Sequence, residues 1–204
     1  MKHIVISLLV LSLFAPALIA RDKPAPTAPG TYKEWGQDID QIEIVKSFKI
    51  ADYDHIVLRT FDTSASPLPD KNDKSYGSIK SVLDGYTLTL IESLRPELKA
   101  KADVAQSDKE TRDSKTLIVR GKVEDLSPGS RAKRYLGGFG AGAAGTKLSG
   151  ELVDAKSGAV LARFTQERRS GGTFKFGGGS DMEVMRDSVH ALGKDIAHVI
   201  DTFQ

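Results

Sequence analysis

The chain has no cysteine among its 204 residues. That removes disulfides, thiolate metal sites and cysteine nucleophiles, and leaves an ordinary apolar core as the basis of folding. It also excludes diacylglycerol attachment, because Leu18-Ile19-Ala20 is followed by Arg21 where a lipid-bearing cysteine would stand. A bias of charge is missing too. With 29 basic and 27 acidic side chains the formal charge is +2, so the balance calls for no nucleic acid. Histidine is scarce, at four residues, which narrows any imidazole-based metal site to few combinations.

Long apolar runs are confined to the start. Met1, Lys2 and His3 precede an apolar run from Ile4 to Val10 that continues through Leu11, Leu13 and Phe14 to Pro16 and the small residues Ala17 and Ala20. This charged, apolar, small-residue order is that of a cleaved secretory signal peptide over residues 1–20. The run is short against the roughly 20 apolar residues of a bilayer span, so no transmembrane segment is expected after its removal. The expected location is periplasmic or secreted. Residues 21–43 open with RDKPAPTAPGT, whose Pro24, Pro26 and Pro29 favour an extended leader. One domain is expected over 44–204, long enough to bury about 70% of its unfolded surface without a staple.

Periodicity sets out the elements of that domain. HIVLRTF at 55–61 reads as a strand, closed off by Pro67 and Pro69. From Ile79, the apolar residues Val82, Leu83, Tyr86, Leu90, Leu94 and Leu98 line one helical face, with Pro96 near its end. After the charged loop QSDKETRDSK at 106–115, Leu117, Val119 and Val123 alternate with Arg120, Lys122 and Glu124 as a half-buried strand. Strands at about 146–153 and 159–166 follow. The first puts Leu148 and Leu152 on one face, the second Val160, Ala162 and Phe164, and DAKSG between them suits a hairpin with Asp154 and Gly158 in the turn. Ser180-Asp181-Met182-Glu183 is a capping box opening a helix to about Phe203. Its seam of Met182, Met185, Val189, Leu192, Ile196, Val199 and Phe203 fits a helix lying on the sheet, or a weaker alternative, a homodimer through this helix. The fold class is therefore α+β, a two-layer sandwich with a mostly antiparallel sheet of about four to five strands and two helices on one face.

Of the 19 glycines, 13 lie between Gly129 and Gly179, so the entropic cost of ordering glycine is concentrated in one quarter of the chain. The same region carries Arg131, Lys133, Arg134 and Lys147, with no acid between Asp125 and Glu151, and Arg168 and Arg169 stand near the second glycine cluster. Cationic side chains beside glycine-exposed amides point to contact with an anion or a partner. The competing reading is a solvated basic edge that guards a strand against pairing.

Three catalytic or cofactor patterns fail on context. Gly140-Ala141-Gly142-Ala143-Ala144-Gly145 matches a dinucleotide fingerprint, but a strand follows it where a helix must open, so no cofactor is expected. Ser130 and Lys133 match the Ser-x-x-Lys arrangement of a serine hydrolase, without its companion motifs. His190 and His198 are eight apart on the last helix where a shared metal needs four, and Asp187 and Asp195, each three residues before one of them, read as partners in surface pairs.

The turn from Ser127 to Tyr135, the run GGFGAGAAG and the hairpin from Leu152 to Leu161 are similar to domain-of-unknown-function family 4410, over roughly residues 50–203. The resemblance implies an exported bacterial protein, often one with a lipid-attachment cysteine, and brings no activity or catalytic residue with it. Arg21 departs from the lipoprotein form. The expected function is a non-catalytic interaction or accessory domain of the envelope, meeting a protein or an anionic envelope component through its basic, glycine-rich edge. A hydrolase using Ser130 is the alternative.

Overall fold

The computed structural model describes residues 24–36, 39–129, 144–170 and 180–204. The signal peptide expected at 1–20 lies outside them. The alternating stretch forms the spine of the sheet as the longest strand, β5 (Thr116–Ser127), with Leu117, Val119 and Val123 fully buried and Arg120 and Lys122 turned outward. The other strands are β1 (Gly30–Trp35), β2 (Ile39–Ile44), β3 (His55–Leu58), β4 (Asp103–Gln106), β6 (Ala144–Asp154) and β7 (Val160–Ser170). The helices are α1 (Tyr76–Asp84), α2 (Tyr86–Glu97) and α3 (Asp181–Thr202).

The fold is α+β, as expected, with more elements than the sequence reading supplied. Among the described residues one mixed sheet of seven strands runs in the order β1-β2-β7-β6-β5-β3-β4. Its β1/β2, β2/β7, β6/β7 and β5/β6 pairs are antiparallel, whereas β3 lies parallel to both β4 and β5. The extra strands come from the expected leader and from residues 103–106, which run into the charged loop. Residues 30–43 of the expected leader, together with Ile44, carry β1 and β2, and β2 joins the sheet through the register from Gln41↔Thr165 to Ile44↔Ala162. Their backbone polar groups, once near the core, have to be paired. Strand β4 is a four-residue edge with no buried side chain, so it leaves no periodic trace.

Among the described residues three α-helices stand where two helices were expected. The stretch read as one helix breaks at Gly85, and α2 carries Pro96 in its last turn before ending at Glu97. The terminal helix begins at the expected capping box, where Ser180 N–H donates to Glu183 at 2.7 Å and Glu183 N–H to Ser180 Oγ at 3.3 Å. Its seam is consumed within the chain. Met185, Val189, Leu192, Ile196, Val199 and Phe203 are all buried in the core between helices and sheet, so the homodimer through this seam is set aside. Phe203 stacks on Phe48 at 4.2 Å and on Trp35 at 5.9 Å between ring centroids, tying the last helix to the first strand. At Gly193 the helices α2 and α3 nearly touch, since a Cβ there would sit 2.4 Å from Leu90 O.

The hairpin between β6 and β7 follows local chemistry. Asp154 accepts from Ser157 N–H at 2.7 Å, and Gly158 adopts φ +71°, a region where a side chain is disfavoured. A register shift after Leu152 alters one expected face. Leu161 and Ala162 are both in the main core, while Val160 packs on the opposite side of the sheet with Ile118, Val153 and Ala155. Among the described residues no helix is long and apolar enough to cross a membrane.

Candidate functional site

The three long strands β5, β6 and β7 bring the ends of both glycine-rich segments together. Ser127 lies opposite Gly145, and Ala144 opposite Ser170, so the connections 128–143 and 171–179 leave from the same end of the sheet. Arg131, Lys133 and Arg134, and with them Ser130 of the hydrolase alternative, lie outside the described residues. So does most of the dinucleotide-like run.

The described cations of this end all have carboxylate partners. Lys147 Nζ lies 3.0 Å from Glu124, and that contact chiefly holds the Glu124 carboxyl below its usual range and the Lys147 ammonium above its own. Arg169 Nε lies 2.5 Å from Glu167, which raises the guanidinium further. Arg168 faces the other way. It projects to the helix side of the sheet, where Nε and Nη2 donate to Asp195 at 2.6 and 2.5 Å.

Asp195 is a correction to the sequence reading, which placed it in a surface pair. Its side chain is only 4% exposed. Besides Arg168 it accepts from Gln166 Nε2 at 3.1 Å, and Gln166 Oε1 in turn accepts from Asp40 N–H at 2.8 Å. This buried polar chain ties β2, β7 and α3 together. Burial of a carboxylate is tolerable only with such partners. Spacing could have revealed it, for Asp195 stands three residues after Leu192 and four before Val199, an inward position on the seam. His198 Nε2 lies 3.3 Å from Glu97, and among the described residues no group of three or more metal-ligating side chains occurs.

On the face away from the helices the sheet is polar. Glu43, Arg163, Glu151 and Arg120 lie in one row across β2, β7, β6 and β5. Arg163 bridges Glu43 at 3.1 Å and Glu151 at 3.0 Å, and Arg120 meets Glu151 at 2.7 Å. Burial pushes the Glu151 carboxyl up, yet hydrogen bonds from Arg120 and Arg163 hold it below its usual value. Periodicity marks Arg120 and Lys122 as outward positions but says nothing of which strand lies beside them.

No curated protein matches the chain. Among solved structures, the PelC dodecamer from Paraburkholderia phytofirmans is similar at 15% identity over 76% of this chain and 96% of that one, with a TM-score of 0.42. A DUF330 protein from Xanthomonas campestris is similar at 12% identity over 78% of this chain and 93% of that one, with a TM-score of 0.39. The model of one family, described as Domain of unknown function (DUF4410), matches residues 56–172, and the chain belongs to that family.

Proposed function

We propose that the protein is an exported, periplasmic accessory domain that acts by binding rather than by catalysis. Its contact surface is the glycine-rich, basic end of the sheet, and its partner is a protein or an anionic component of the envelope. The observation that carries this reading is the convergence of the two glycine-rich segments at one end of β5, β6 and β7. Glycine-rich connections free backbone amides for an incoming anion, and basic side chains add attraction at range. Lys147, Arg168 and Arg169 are held by Glu124, Asp195 and Glu167, and Arg131, Lys133 and Arg134 are the basic residues proposed for the contact. The order of the first twenty residues supports export.

The test compares retention of the mature wild type and of a variant with Arg131, Lys133 and Arg134 all replaced by alanine on envelope fractions. The variant is expected to wash off at lower salt. Equal retention of the two proteins would end this reading.

A further inference from the structure

Two hollows adjoin on the open face of the sheet. One, of about 750 Å³, runs over β2, β7, β6 and β5, and the other, of about 450 Å³, lies between residues 110–112 and the tip of the β6/β7 hairpin. Arg59 and Arg120 line both. Strand register makes them neighbours. Leu58 is opposite Val119 in the parallel β3/β5 pair, and Arg59 N–H continues the ladder by donating to Val119 O at 2.8 Å. One step along each chain, two guanidinium-bearing residues therefore stand side by side.

Like charges next to each other across strands are unfavourable, and a fold keeps such a pair only against that cost. Both cations here are also anchored. Arg59 Nη1 donates to Ser107 O at 2.5 Å and to Lys109 O, while Arg120 gives Nε and Nη2 to Glu151 at 2.9 and 2.7 Å. Among the described residues that leaves Nε and Nη2 of Arg59 and Nη1 of Arg120 without an acceptor. Nearby carboxylates all have partners, Asp108 close enough to Arg59 to feel its charge and Glu151 bonded to Arg120 itself. Asp108 accepts from Thr60 N–H at 2.8 Å and Thr60 Oγ1 at 2.6 Å, Asp62 from Ser64 N–H at 2.9 Å, and Glu151 from both Arg120 and Arg163. Lys122 and Arg163 line the first hollow with Glu43, Asp62 and Glu151, and Arg112 and Lys156 line the second with Glu110, so both linings are net basic.

We propose that Arg59 and Arg120 form an oxyanion site, holding the phosphate or carboxylate group of a small acidic molecule whose remainder occupies the adjoining hollows. Paired, pre-positioned guanidiniums suit planar or tetrahedral oxyanions. Both hollows fall within the roughly 300–1,000 Å³ of small-molecule sites. The site is separate from the glycine-rich end and stands whether or not that end binds a partner.

The arginine Nε–H signals of the folded protein read this directly in two titrations, one with inorganic phosphate and one with acetate, at constant ionic strength. Arg59 and Arg120 are expected to shift together to saturation with a single dissociation constant. Arg95, which is exposed on α2 and donates to Val104 O outside both hollows, should drift only linearly. A stronger response to phosphate assigns the site to phosphorylated molecules, and a stronger one to acetate assigns it to carboxylates. Arg120→Gln is expected to weaken binding about tenfold, the loss of one charge-assisted hydrogen bond, whereas the Arg131, Lys133, Arg134 alanine variant should bind as the wild type does. Uniform, unsaturated shifts of all arginines, or an Arg59 dissociation constant left unchanged by Arg120→Gln, would overturn the proposal.

Discussion

Replacing Asp195 with alanine is expected to cost more stability than any single change on the open face of the sheet. The carboxylate is buried and serves two nitrogens of Arg168 and the amide of Gln166. Removing one partner of a buried ion pair costs about 3–5 kcal/mol, because the remaining charge keeps its desolvation penalty. Arg168 is about one-third exposed, so water reaches part of its guanidinium and the loss belongs near the lower end of that range. A stranded Gln166 amide adds to it, through a hydrogen bond lost in the interior. At about 2–4 °C per kcal/mol for a domain of this size, Tm should fall by roughly 6–20 °C. Urea unfolding with an unchanged m-value would show that the folded state is what has been weakened. A double-mutant cycle with Arg168→Met isolates the pair. If Asp195→Ala costs less than about 1 kcal/mol, or the two single losses simply add, the carboxylate does not clamp α3 to β7.

Two further perturbations probe other contacts. Gly193→Ala should destabilise the protein although alanine favours helix by about 1 kcal/mol, because the new methyl meets the backbone oxygen of Leu90 at 2.4 Å and the helices must part. Ser93→Gly in the same chain should not restore the loss, and a Gly193→Ala protein at least as stable as wild type would refute the close approach. The Tyr53 phenol is pushed up to about 12, first by burial and then by the Asp154 charge beside it. A raised phenol favours folding fully below its unfolded value near 10 and loses that contribution as pH climbs toward 12. Asp154→Asn should bring one tyrosine ionisation down in a 295 nm absorbance titration, and superimposable curves would remove Asp154 as a cause.

Local chemistry was legible in the sequence wherever all its partners lie within a few residues. The Asp154 to Gly158 turn and the Ser180 to Glu183 box close their hydrogen bonds over three or four positions, so residue type and spacing suffice. The alternation of Leu117, Val119 and Val123 showed the buried side of β5 for the same reason. Edge strands were not legible. The polar side chains of β1 and β4 resemble those of loops, and only neighbours distant in sequence make them strands. The expected anion contacts divide likewise: Lys147 and Arg169 lie on the open face and Arg168 on the helix face, each matched by an acid that the sequence reading did not pair with it.

The sequence by itself determined a thiol-free chain, its family, its α+β class, and the turns and caps whose bonds are local. The tertiary structure decided which strands are neighbours and which charges meet. Asp195 became a buried clamp because β7 passes beneath α3, and Arg59 came to stand beside Arg120 because β3 runs parallel to β5. Cross-strand and helix-to-sheet contacts join residues tens of positions apart, and periodicity along one segment carries no information about what lies next to it.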